Sequence, residues 1–229
     1  MSDHDLRPGV LLDVDGTLLD TNYLHVVAWS RAFRRTGHEG VSMSTIHRAI
    51  GIGSQELVGH VLGDGLDEEA VSAVVDAHSA CYEAFQDDVL AFPRAGELVE
   101  AVAGLGLAAV LATSGREQDL EWMRPAIGAG DALSGATTSG AVDRAKPAPD
   151  LLVVAARENH LDPRRTVVVG DTLWDVQAAN DADMACIALL CGGLSRGELL
   201  DAGAAAVYDD PSALLEDLQG SPIGRLVER

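Results

Sequence analysis

Short, continuously apolar runs, spaced along the chain and separated by helical patterns, constrain its fold more than any other feature. They lie at 10–12 (VLL), 107–112 (LAAVLA), 166–170 (TVVVG), 185–190 (ACIALL) and 205–208 (AAVY), with a shorter candidate at 137–139 (TTS). Runs of this length without polar alternation read as strands buried on both faces. Helical patterns at 147–160, 171–180, 195–200 and 212–218 fall between or after them. The alternation predicts an α/β fold: a doubly wound, Rossmann-like parallel sheet covered by helices on both sides. Ligands of such sheets bind beyond the carboxyl ends of the strands. Three of the runs lead straight into polar residues, Asp13, Thr113 and Asp171, so one composite site is expected there.

One block breaks the alternation. Residues 22–88 carry helical patterns at 22–37, 42–50, 54–62 and 67–85, and no strand candidate. In the first, Tyr23, Val26, Val27, Ser30 and Phe33 fall near helical spacing, with Arg31, Arg34 and Arg35 toward the other side. The block predicts a small all-helical domain, 22–88, inserted over the site after the first strand. The catalytic core is then 1–21 plus 89–229. Further helices are expected from Phe92-Pro93 to about 104–106, and from Thr113-Ser114-Gly115 to about Ile127.

Charge and composition narrow the partners. Lys and Arg number 16 against 36 Asp and Glu, a net charge of −20. Such a surface repels nucleic-acid backbones and anionic lipid. A phosphorylated substrate would need a cation and a local positive group. No segment of the 229 residues has the length and apolarity of a membrane span. The opening stretch MSDHDLRPG has neither a basic n-region nor an apolar h-region, and a cytoplasmic location is expected. Cys81, Cys186 and Cys191 lack metal-ligand spacing and read as reduced thiols. Residues 221–229 read as a frayed tail.

Four stretches carry chemistry. In VLLDVDGTL, Asp13 and Asp15 are two apart in an extended chain and can face one site. Gly16 permits a turn or a close approach to the backbone. Two adjacent carboxylates call for a cation or a raised pKa, and one of them can act as a nucleophile. The same residues also read as turn formers. Thr113-Ser114-Gly115 offers a hydroxyl and backbone N–H groups at a helix start, either an anion cradle or a plain cap. Lys146, the only lysine beside fifteen arginines, reads as a phosphate-neutralising ammonium or a solvated loop residue. Asp171 and Asp175 in GDTLWD are four apart on one helix face. They read as oxygen ligands for Mg2+, or as an N-cap and a helix-dipole partner.

In this order, DVDGTL, apolar-T-S-G, KPAPD and GDTLWD resemble the four motifs of the haloacid dehalogenase superfamily, over about residues 10–208. The helical insert is similar to the cap of its phosphoglycolate phosphatase and β-phosphoglucomutase branch. The resemblance implies that Asp13 is the nucleophile that becomes an aspartyl-phosphate, and that Asp15 is the general acid/base. It implies that Thr113, with Ser114 and Gly115, and Lys146 hold the phosphoryl group. It implies Mg2+ bound by Asp13, the backbone carbonyl of Asp15 and Asp171, supported by Asp175.

An acid at position 15 argues against the superfamily's halide and phosphonate chemistry, which leaves phosphatase or phosphomutase. His25 with Trp29 resembles a mutase feature. The loop 49–55 resembles the cap's specificity loop, with Gly51, Gly53, Ser54 and Gln55 as substrate contacts. The mutase pattern places a basic residue after its first glycine, and none stands there. A phosphatase acting on a small phosphorylated metabolite (phosphoglycolate, a sugar phosphate or pyrophosphate) is therefore expected ahead of a mutase. A catalytically idle binding module is a third reading, although no nucleophile, metal acid or lysine is missing. Monomer and homodimer remain equally open.

Overall fold

The structure is a computed structural model that describes residues 6–227 apart from Asp64 and Asp143. Met1 to Asp5, part of the acidic opening stretch, and Glu228 and Arg229, the end of the expected tail, lie outside the described residues. Among the described residues six strands form one sheet: β1 (Arg7–Leu12), β2 (Ala108–Thr113), β3 (Leu133–Thr138), β4 (Leu161–Gly170), β5 (Ala185–Leu189) and β6 (Ala206–Tyr208). Their order is β3-β2-β1-β4-β5-β6 and every neighbouring pair is parallel. Five of them coincide with apolar runs of the sequence, because strands covered on both faces have no reason to alternate. The expected strand at 137–139 is corrected to β3, Leu133–Thr138, a partly exposed edge strand without an apolar run.

Register decides where those strands end. Leu12 of β1 lies beside Leu111 of β2 and Val169 of β4. The three carboxyl ends are therefore nearly level, and the residues that follow them emerge at one edge. The Asp13 N–H still donates to the Val169 carbonyl at 2.9 Å, which fixes the chain one residue past the strand. Strand order reverses across β1 and β4, and the crevice at such a switch point is where sheets of this kind bind ligands.

The helices are α1 (Asn22–Arg35), α2 (Met43–Ala49), α3 (Ser54–Leu62), α4 (Glu68–Tyr82), α5 (Ala95–Gly104), α6 (Leu120–Ile127), α7 (Asp150–Glu158), α8 (Leu173–Asp181), α9 (Arg196–Asp201) and α10 (Pro211–Glu216). One layer of core joins Leu11, Val110, Val168 and Cys186 of the sheet to Leu151, Leu152 and Ala155 of α7, Val176 and Ala179 of α8, and Leu199 of α9. The alternate residues Leu12, Leu111, Val169 and Ile187 are equally buried on the other face.

The chain divides into two compact units, Met1–Asp20 with Leu90–Arg229, and Thr21–Val89. The second is helical, α1 to α4 followed by a 3-10 turn, Glu83–Asp88. Its helices α1 and α4 pack through rings: Trp29 stacks on His78 with centroids 3.9 Å apart, and His25 on Tyr82, also at 3.9 Å.

Several local expectations are corrected. Tyr23 is not on the buried face of α1; it is exposed and stacks on His47. The helix expected from Phe92-Pro93 starts at Ala95, since Arg94 before it adopts a left-handed φ of 62°. The helix expected at 147 starts at Asp150. The stretch from Ser221 is not frayed: Ser221, Pro222, Ile223 and Gly224 are buried, and a 3-10 turn, Gly224–Leu226, follows.

Candidate active site

Asp13, Lys146, Asp171 and Asp175 come together at the carboxyl ends of β1 and β4. All four are buried, and Lys146 is only 1% exposed. Its ammonium lies 2.6 Å from Asp13 Oδ1 and 2.6 Å from Asp175 Oδ1, and it donates to the Ala112 carbonyl at 3.3 Å. Lys146 is therefore not a solvated loop lysine. Carboxylate oxygens of Asp13, Asp171 and Asp175 all lie within 4.8 Å of one another. The Asp15 side chain is outside that triad, half-buried where the chain leaves β1. Gly16 beside it takes a φ of 77°, a turn that a side chain would strain.

Local structure sets each carboxylate. Thr172, not Asp171, is the N-cap of α8. Its hydroxyl donates to Asp175 Oδ2 at 2.5 Å, its N–H donates to the same oxygen at 3.0 Å, and the Asp175 N–H donates back to the hydroxyl at 3.2 Å. This capping box uses one oxygen of Asp175 and turns the other toward Lys146. Asp171 does not cap α8, and its carboxylate lies in the cluster. The Thr17 hydroxyl donates to Asp171 Oδ1 at 2.9 Å and lies 3.5 Å from Asp13 Oδ2. Gly192 closes the space behind: a Cβ there would collide with the Asp171 carboxylate.

Burial pushes the Asp13 carboxyl up, to about 7. Lys146 opposes that rise, while Asp175 and Asp15 add to it. For Lys146, burial disfavours the charged form, but Asp13 and Asp175 outweigh it and hold the ammonium above the ordinary lysine range. One ammonium faces three buried carboxylates, so the cluster is over-supplied with negative charge. Asp175 Oδ1 makes no well-directed hydrogen bond, although Lys146 is beside it. An all-oxygen donor set with excess negative charge fits a hard divalent cation, which Asp13, Asp171 and Asp175 could hold.

Thr113 ends β2 and is fully buried. Its hydroxyl accepts the Gly115 N–H at 2.9 Å, and the Gly115 carbonyl accepts the Ser139 hydroxyl at 3.1 Å. The expectation of free N–H groups at a helix start is corrected here. Arg116 is extended, a 3-10 turn spans Glu117–Asp119, and α6 begins only at Leu120. The loop of Thr113, Ser114 and Gly115 is held by its own hydrogen bonds.

The remaining predicted residues lie in the helical unit. His25 is on α1, with its Nδ1 3.2 Å from His78 Nε2. Gly51, at φ 99°, makes the turn between α2 and α3; Gly53 is the N-cap of α3, and Ser54 and Gln55 open its first turn. Sequence reasoning missed Thr17, Thr172 and Gly192. Thr17 and Thr172 stand inside motifs already singled out, each a hydroxyl next to an acid. Gly192 has no sequence signal, because its role is a close approach across 21 residues of chain.

The chain belongs to the haloacid dehalogenase-like hydrolases, whose family model matches residues 8–183. It is similar to a phosphoglycolate phosphatase of Pseudomonas putida, 24% identical over 92% of this chain and 76% of that protein. It is 27% identical to the probable phosphatase IndB of Dickeya dadantii, over 89% of this chain and 90% of that one. The crystal structure of a hydrolase from Pseudomonas syringae superposes with a TM-score of 0.87 at 31% identity, covering 93% of this chain and 99% of that one.

Proposed function

We propose that the protein is a Mg2+-dependent phosphatase that hydrolyses a small phosphomonoester through an aspartyl-phosphate on Asp13. The observation that carries the reading is the buried cluster of Asp13, Lys146, Asp171 and Asp175 at the strand ends. The phosphatases among its relatives support the substrate class.

An Asp13 carboxylate oxygen attacks phosphorus, and the bond from phosphorus to the leaving oxygen breaks. Asp15 supplies the proton that the leaving oxygen needs. The Asp15 carboxylate then takes a proton from water as that water attacks the same phosphorus. The bond to Asp13 breaks, phosphate leaves and both acids return to their starting states. Lys146 holds Asp13 in place and neutralises charge on the transferring group, as does the Thr113 loop by hydrogen bonding. Bound Mg2+, held by Asp13, Asp171 and the Asp15 carbonyl, would supply charge neutralisation for the phosphoryl oxygens and for the crowded carboxylates. The helical unit would serve as the cap, with Gly51, Gly53, Ser54 and Gln55 as its substrate contacts.

The test is phosphate release from a panel of phosphomonoesters and pyrophosphate, with and without Mg2+, using Asp13→Asn as control. Release that needs both supports the reading, and its ranking names the substrate. No release from a folded protein, with isomerisation of a sugar phosphate once a bisphosphate is added, would replace the phosphatase by a mutase.

A further inference from the structure

Acids outnumber bases 36 to 16 in this chain, so several arginines lining one pocket stand out, and some arginines elsewhere pair with carboxylates. In the sheet-bearing unit Arg94, Arg116, Arg144 and Arg196 each do, pairing with Glu97, Asp119, Asp150 and Asp209 at 3.0, 3.0, 3.1 and 2.9 Å. Among the described residues Arg7, Arg124, Arg157, Arg164, Arg165 and Arg225 do not. Of these, Arg164, Arg165 and Arg225 line a single pocket of about 320 Å³. The nearby Asp162 carboxylate accepts the Arg164 backbone N–H at 3.0 Å rather than its guanidinium.

The pocket is built and is remote from the aspartate cluster. Thr166 and Val167, both buried, belong to its lining, as do Pro222 and Leu226 of the carboxyl-terminal segment. That segment is held in place: Ile223 is fully buried, and the Ser221 hydroxyl donates to the Leu218 carbonyl at 2.7 Å. Arg165 reaches the Leu226 carbonyl at 3.5 Å. Thr166 precedes Asp171 by five residues along β4, about 16 Å of extended chain. The two sites therefore lie at opposite ends of the same strand.

We propose that this pocket is a second anion site, for a small ligand bearing phosphate or carboxylate groups. Guanidinium forks match both oxyanions in two-point geometry, and Pro222 and Leu226 offer an apolar side for the body of such a ligand. In a protein of net charge −20, three arginines without carboxylate partners in one pocket offset the surrounding negative field for an anion.

Amide NMR spectra of the metal-free protein in EDTA, titrated with pyrophosphate and separately with tricarballylate, test this. Thr166, Ala185 and Ala205 report the pocket; Gly16 and Gly170 report the aspartate cluster. The expected result is a saturable shift of the first three with one or both probes, and which probe binds tighter distinguishes phosphate from carboxylate. Arg164→Gln and Arg225→Gln, both at exposed side chains, should each weaken that binding by roughly tenfold and leave any shifts at Gly16 and Gly170 unchanged. Absence of a saturable shift at the three reporters with both probes, or shifts of equal affinity in the double variant, would overturn the proposal.

Discussion

Lys146 and Asp13 are 133 residues apart in the chain and 2.6 Å apart in space. The same ammonium meets Asp175 at 2.6 Å, so a single cation holds one carboxylate from the end of β1 and one from the first turn of α8. Burial of the ammonium is tolerated because it meets opposite charge on two sides. Lys146→Ala removes that match. It should lower stability by about 3–5 kcal/mol at pH 8 and abolish phosphate release. Denaturant melts and turnover, measured on the same preparation, check both; near-parental turnover would show that Lys146 does not serve the phosphoryl group.

Asp13 makes metal-free stability depend on pH. Burial raises its carboxyl from 3.8 to about 7 in the folded protein, so the folded state binds a proton that the unfolded chain has already released. The contribution of Asp13 is complete below 3.8 and is lost as pH rises through about 7. Thermal melts in EDTA should therefore show a fall between about pH 4 and pH 7, levelling off above it, that Asp13→Asn reduces. Parallel falls in parent and variant would assign the effect elsewhere.

Metal uptake should release a proton for the same reason, since the ligand form of Asp13 is the carboxylate. Mg2+ affinity should rise by roughly tenfold per pH unit below about 7 and level off above it. Calorimetric titrations in two buffers of different ionisation enthalpy measure the proton count directly. A buffer-independent heat at pH 6 would contradict the expectation.

Gly192→Ala tests the packing behind the proposed metal ligands. The added methyl would strike the Asp171 carboxylate and displace a group that Thr17 holds at 2.9 Å. The Mg2+ concentration needed for half-maximal activity should increase by about 10–100-fold, with a stability loss of about 1–3 kcal/mol. An unchanged Mg2+ requirement would mean that Asp171 is not a ligand.

Ile223→Ala tests the docked carboxyl-terminal segment. Ile223 is fully buried, and its truncation should cost about 2–5 kcal/mol. A frayed segment would lose almost nothing in a urea melt.

How much of this was legible without coordinates follows from the range of the forces involved. Five of the strands, the helical block and the aspartates and lysine of the cluster are readable, because burial on both faces writes continuous apolar runs and strand ends expose their polar neighbours; the edge strand β3 carries no such run. Helix starts were read less well. Arg94 takes a left-handed turn that no side chain at that position advertises, and the Thr113 loop spends its N–H on its own hydroxyl before α6 begins.

The sequence by itself determined the parallel α/β sheet, the family and the set of acidic and basic groups available at the strand ends. These are set by local patterning and by residue type. Only the tertiary structure decided that Lys146 is buried between Asp13 and Asp175, that Thr172 rather than Asp171 caps α8, that Gly192 leaves room for Asp171, and that the chain from Ser221 packs down beside Arg164 and Arg165. Each of these depends on groups far apart in the chain approaching within a few ångströms, and such distances are fixed by strand register and core packing rather than by any neighbouring residue.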